Sequence, residues 1–205
     1  DDTMYLDEYK KWLDSTMLSE NEKEELRSIA NDEKEIENRF YTNLSFGTAG
    51  MRGVRGIGKN RMNKYNIRKA TQGLANYIIE ATGETGKKKG VAIAYDSRLD
   101  SVENAINTAM TLAGNGIKVY LFEGIRSTPE LSFAVRELKA QAGVMITASH
   151  NPKEYNGYKV YWEDGAQIVD PQATGIVSAV EAVDIFNGVK LMDEKEAIEK
   201  GLLVY

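Results

Sequence analysis

One segment concentrates reactive side chains. The run MITASHNP, Met145 to Pro152, carries an apolar strand straight into a serine, the chain's single histidine, an asparagine and a proline. A serine hydrolase would need a histidine base aimed at Ser149 and an acid to orient that base. His150 is adjacent to the serine and points away from it if the backbone stays extended. The Gly-x-Ser-x-Gly elbow is also absent. A serine can instead carry a phosphoryl group covalently. That chemistry requires fixed positive charge, a metal and a proton-transfer group. The glycine-rich stretch GTAGMRG, Gly47 to Gly53, offers backbone N–H groups and the Arg52 guanidinium. Lys159 follows Ser149 by ten residues, beyond an expected Asn156-Gly157 turn that would fold it back over the serine loop. Desolvation beside other cations would lower its pKa and suit it to proton transfer. The competing reading makes Arg52 and Lys159 solvated surface charges and residues 149–152 a satisfied turn.

The elements around these residues follow a regular alternation. Apolar runs at Val91–Tyr95, Ile117–Phe122 and Gly143–Ala148 read as strands. Helical spacing lies between them, one helix capped by Asp100 together with Glu103 and another opening at Ser127-Thr128-Pro129. Short connections and continuous apolar strands imply a mainly parallel sheet covered on both faces. Ligands in such sheets bind beyond the carboxyl ends of the strands. Asp96-Ser97-Arg98, Glu123 to Thr128 and Thr147 to Asn151 would then share one rim. Upstream, an amphipathic helix spans about Lys64 to Thr82 and ends at Gly83, with Lys87-Lys88-Lys89 as a solvated loop. Downstream, a hairpin or edge strand turns at Asn156-Gly157 and Asp164-Gly165. Asp170-Pro171 then opens a last long helix with apolar positions from Ile176 to Phe186.

The N-terminal part is charged and helical, with a capping box at Ser19 and Glu22. The expected fold is a three-layer α/β/α with a mainly parallel, mixed sheet plus an N-terminal helical extension. Its divisions are 1–40 for the extension, 41–190 for the α/β/α domain, and 191–205 for a linker and the start of a truncated second domain. The start at Asp1 and the closing GLLVY read as a fragment of a longer protein.

Composition narrows the alternatives. A net charge of −5 argues against a nucleic-acid binder. No apolar run is long enough to suggest a membrane span. With no cysteine there is neither a disulfide framework nor a thiolate metal site, and a cytoplasmic location fits. GVRGIGKN, Gly53 to Asn60, approaches a P-loop but has Asn60 where Ser or Thr should hold magnesium.

TASHNP, Thr147 to Pro152, closely resembles the phosphoserine loop of the α-D-phosphohexomutases, the phosphoglucomutase/phosphomannomutase superfamily. FGTAGMRG, Phe46 to Gly53, resembles that family's first substrate and phosphate loop. NGYKVYWEDGAQI, Asn156 to Ile168, resembles the segment after its active serine. The likeness runs from about residue 40 to 190. The N-terminal region and NKYNIRKATQGLANYI look most like the branch containing phosphoglucomutase 2 and related bacterial enzymes. The resemblance implies that Ser149 is the phosphorylated nucleophile, with His150 for substrate contact and proton handling and Lys159 as general acid/base. It implies that Thr48, Arg52 and Asn151 bind phosphate or substrate, and that Asp96 and Arg98 shape the site. The implied enzyme is an intramolecular phosphotransferase interconverting hexose 1-phosphate and hexose 6-phosphate, with glucose 1,6-bisphosphate as intermediate and activator. Its Mg2+ would meet this chain at the phosphate on Ser149. The other ligands would come from remaining domains of the same polypeptide, whose aspartate-rich loop has no counterpart here. The chain alone is therefore expected to show negligible turnover, and its sugar stays open among glucose, mannose and pentose. The alternative is a noncatalytic sugar-phosphate or anion-binding α/β module.

Overall fold

The structure is a computed structural model that describes residues 4–48, 50–124, 128–149 and 155–205, with Thr128 and Ser149 described by backbone only. Three helices come first: α1 (Met4–Asp14), α2 (Glu20–Arg27) and α3 (Glu33–Phe40). The capping box forms as expected. Glu22 N–H donates to Ser19 Oγ at 3.2 Å, and Ser19 N–H donates to the Glu22 carboxylate at 2.8 Å. Two short strands follow, β1 (Phe46–Gly47) and β2 (Gly50–Val54). The alternating part is α4 (Lys64–Lys89), β3 (Val91–Tyr95), α5 (Leu99–Gly114), β4 (Val119–Glu123), α6 (Thr128–Leu138) and β5 (Ala142–Ser149). Then come β6 (Tyr155–Trp162), α7 (Gln172–Glu181), α8 (Glu194–Glu199) and β7 (Leu203–Val204).

Among the described residues these strands form one mixed sheet, ordered β1-β2-β6-β5-β3-β4-β7. The β5–β3, β3–β4 and β4–β7 pairings are parallel, and β1–β2, β2–β6 and β6–β5 are antiparallel. Every residue of β3 is buried, because helices cover both of its faces. Val91, Ile93 and Tyr95 face α4, α5 and α7 in the main core, and Ala92 and Ala94 face α6 with Leu131 and Val135. Small residues let α6 sit close to the sheet: a Cβ on Gly143 would lie 2.7 Å from Val135 Cγ2. The α/β/α expectation is met.

The N-terminal helices make their own apolar cluster around Trp12, Phe40 and Tyr65. Trp12 is 2% exposed and meets Phe40, Tyr65 and Phe186 edge-on, with centroids 5.0 to 5.7 Å apart. Such pairs add to the area term of burial. Phe186 reaches this cluster because α7 stops at Glu181 rather than running on as its apolar spacing suggests. Asp184 Oδ1 accepts from the N–H groups of Phe186 and Asn187, holding a turn in place of helix.

Three further expectations need correction. Gly83 (φ 61°, ψ −144°) kinks α4 without ending it, and helix resumes to Lys89. Lys87 and Lys89 therefore lie in a helical turn, paired with Glu84 and Glu163. Asp100 does not cap α5, whose N-cap position is Arg98 with no side-chain cap bond. Asp100 pairs with Arg55 at 3.2 Å instead. Asn156-Gly157 is not a turn but the interior of β6, whereas Asp164-Gly165 does turn, with Gly165 N–H on Trp162 O.

Candidate active site

Strand register decides which residues share a face. β5 and β6 pair Met145 with Lys159, Thr147 with Gly157, and Ser149 with Tyr155. β2 and β6 pair Arg52 with Gly157 and Val54 with Tyr155. Opposed residues of an antiparallel pair lie on the same side, and successive residues alternate. Positions 52, 147, 149, 155 and 159 therefore fall on one face, the one that α6 covers over β3 and β5. Over β6 and β2 this face is open, and Arg52 and Lys159 are both exposed there.

The distances along the strip follow from strand geometry. Lys159 lies four residues from Tyr155, the partner of Ser149, or about 13 Å at the usual rise per residue. Arg52 lies between them, one strand beyond β6. Lys159 thus reaches this face along an antiparallel strand, not by folding back through a turn. Its exposure also means that the described residues leave its ammonium in water. Among them neither Arg52 nor Lys159 has an ion pair or hydrogen bond. The guanidinium carbon of Arg52 sits over the Tyr155 ring, 5.0 Å from its centroid.

The parallel strands bring their carboxyl ends to one rim, as the alternation implied. Arg98 Nη1 donates to Ala148 O at 2.9 Å, tying the loop after β3 to the end of β5. Asp96 Oδ1 accepts from Arg98 N–H at 3.0 Å, so Asp96 shapes this loop. Gly124 N–H closes on Tyr95 O at 2.9 Å. His150 and Asn151 lie outside the described residues.

Thr48 is not brought to the rim. It is exposed in the β1–β2 turn beside Gln167 and Asp170, at the far end of β2 from Val54. Gly50, in the same glycine-rich stretch, has a structural reason for its type. Its φ is +89°, and a Cβ there would lie 2.1 Å from Tyr158 O. In the near-P-loop, Ile57 N–H donates to the Glu25 carboxylate at 2.8 Å and Lys59 pairs with Glu8 at 3.2 Å. A polar crevice of about 120 Å³, lined by Glu22, Arg55, Lys64, Asp100 and Asn156 among others, joins the N-terminal helices to the rim. Asn156 faces the side of the sheet opposite Lys159.

Tyr155 and the Arg55–Asp100 pair escaped the sequence reading. The signal that finds Tyr155 is register: once β6 is placed against β5 and β2, every second residue after the serine loop becomes a candidate.

The α/β/α sheet thus carries an open strip with two cations, on the face of position 149, that have no carboxylate partner among the described residues. The chain matches the family profile "Phosphoglucomutase/phosphomannomutase, alpha/beta/alpha domain I" over residues 43–185, and it belongs to that family as its domain I. It is 48% identical over 157 residues to a phosphoglucomutase of Staphylococcus epidermidis, covering 77% of this chain and 28% of that protein. It is 43% identical over 171 residues to a human phosphopentomutase, covering 80% of this chain and 26% of that protein. A solved structure described as a phosphomannomutase from Thermus thermophilus superposes with a TM-score of 0.57 at 33% identity, over 78% of this chain and 35% of that one. The chain thus spans roughly a quarter of the length of the curated relatives named here. No helix among the described residues is long and apolar enough to cross a membrane.

Proposed function

We propose that this chain is the phosphoserine-bearing domain of a sugar-phosphate mutase. In the resting enzyme Ser149 Oγ carries a phosphoryl group. A free hydroxyl of a hexose 1-phosphate attacks that phosphorus, the bond to Ser149 Oγ breaks, and a 1,6-bisphosphate forms. The bisphosphate turns over in the site. Ser149 Oγ then attacks the other phosphorus, leaving hexose 6-phosphate and restoring the phosphoserine. Lys159 takes the proton of the attacking hydroxyl and returns one to the departing oxygen. Arg52 balances charge on the transferring phosphoryl oxygens. His150 and Asn151 hold substrate or phosphate, while Asp96 and Arg98 brace the loop.

Mg2+ enters this reading through the family likeness. Among the described residues no three carboxylates or imidazoles converge to hold a metal. The phosphate on Ser149 is the ligand this chain would offer.

The observation that carries the reading is the pair of exposed cations on the face of position 149, neither compensated by a described carboxylate. The relatives include enzymes named for glucose and for pentose phosphates, so the sugar is left as a class. The test is intact-mass and peptide mapping of the complete protein with turnover assays. A phosphate on Ser149, lost together with activity in Ser149→Ala, is the expected result. An unmodified serine with undiminished sugar-phosphate binding would favour the noncatalytic module instead.

A further inference from the structure

We propose that Tyr155 is a positioning residue that aims the Arg52 guanidinium at the phosphoserine. This inference rests on the mutase reading above and adds a part to it. Three observations converge. First, Arg52 lies directly across from Gly157, which offers no side chain to lean on. That position is closed to larger residues, because a Cβ on Gly157 would lie 2.6 Å from Thr147 Oγ1. The guanidinium therefore has no side chain directly opposite to rest on. Second, it lies over Tyr155, 5.0 Å from the ring centroid, and Tyr155 is the residue paired with Ser149. The long side chain of Arg52 thus extends toward the rim and away from Lys159. Third, no hydrogen bond or ion pair among the described residues competes for the guanidinium. Among those residues the ring face is its only fixture, and its donors are left for an anion.

A cation held by an aromatic face keeps its N–H groups in the plane, available for bidentate contact with phosphate oxygens. A carboxylate in the same place would hold the guanidinium equally well but would neutralise it. Tyr155 orders Arg52 without cancelling its charge. The ring, not the hydroxyl, does this, so phenylalanine should substitute and leucine should not.

The experiment is a double-mutant cycle on the complete protein, reading kcat/KM for glucose 1-phosphate and the phosphate on Ser149 by mass. Tyr155→Leu should lower kcat/KM by roughly three- to fivefold, the range a partly exposed cation–π contact spans. Tyr155→Phe should stay within about twofold of wild type. In an Arg52→Ala background, Tyr155→Leu should change nothing further. If the Leu effect persists in full in that background, or if Tyr155→Leu equals wild type while Arg52→Ala is impaired, the positioning role is wrong and the mutase reading stands. If wild type carries no phosphate on Ser149 and turns nothing over, both fall.

Discussion

The two sides of β2 treat their cations in opposite ways. Where the strand leads into residues 55–62, the N-terminal helices seize the cations within reach. Arg39 donates to Glu25 at 2.7 Å, to Glu35 at 2.8 Å and to Ile57 O at 2.9 Å. Arg61 bonds Glu35 and Asn38, Lys59 pairs with Glu8, and Lys64 pairs with Glu22. Within the strand, Arg52 has only an aromatic face, and Lys159 across the sheet has no described partner. The first region is an internal seam whose charges are already satisfied. The second is a surface whose charges wait for something from outside. Residue type does not separate them, since both are rich in Arg, Lys and Gly; the partner does.

That contrast gives its sharpest break in a pair of substitutions with opposite signatures. Arg52→Ala and Lys159→Ala should each cut turnover of the complete protein by about a hundredfold or more, the usual cost of losing one transition-state charge contact. Lys159→Ala should leave the melting temperature unchanged, and Arg52→Ala should cost no more than its contact with the Tyr155 ring, about 0.5–1 kcal/mol. Steady-state kinetics alongside thermal denaturation checks this. A large stability loss with intact turnover would reverse the assignment of the two regions.

Trp12→Ala should behave the other way. It empties the centre of the seam's aromatic cluster and should cost about 3–5 kcal/mol of stability, measured by denaturant unfolding. At temperatures where the protein stays folded, kcat should remain close to wild type. Trp12 lies on α1 and packs on Phe40, Tyr65 and Phe186, none of them a residue of the strip.

A smaller effect should come from acid. The hydrogen bond from Arg39 holds the Glu35 carboxyl below its usual value, against the opposing effect of burial. Burial pushes Glu22 up, but hydrogen bonds from Tyr65, Ser19 N–H and Lys64 outweigh it, and the net shift is down. A depressed folded-state pKa means that the stabilisation is fully present above the unfolded carboxylate value of 4.5 and is lost as pH falls through the lower folded value. The seam should therefore loosen below about pH 4.5. Glu35→Gln should flatten that part of the stability–pH curve, as read by hydrogen exchange in α2 and α3.

Much of this was legible in the residues, and the reasons are physical. The alternation of Val91–Tyr95, the α5 spacing and Gly143–Ala148 reports burial from two sides, which period and apolarity encode directly. The capping box at Ser19 is local and was readable for the same reason. What the sequence hid was long-range. Asn156-Gly157 has the chemistry of a tight turn, yet Gly157 sits mid-strand, paired with Thr147 on one side and Arg52 on the other. Gly83 breaks helical φ/ψ, but Thr82 Oγ1 bonds to Ile78 O and the chain winds on into the lysine run. Asp100 looks like a cap and serves as the partner of Arg55. In the candidate site, Arg52 and Lys159 stood out by type, while Tyr155 emerged only from the pairing of β5 with β6. Thr48 was drawn in by its neighbours, and the fold leaves it at the other end of β2.

The central claim is that position 149 holds phosphate in transit. Its most direct test is single turnover. The complete protein, phosphorylated on Ser149, is mixed with unlabelled glucose 1-phosphate, and the phosphate on that serine is followed by rapid-quench mass analysis. The phosphate should leave Ser149 as glucose 1,6-bisphosphate appears, at a rate no slower than overall turnover. A serine that keeps its phosphate while product forms would contradict it.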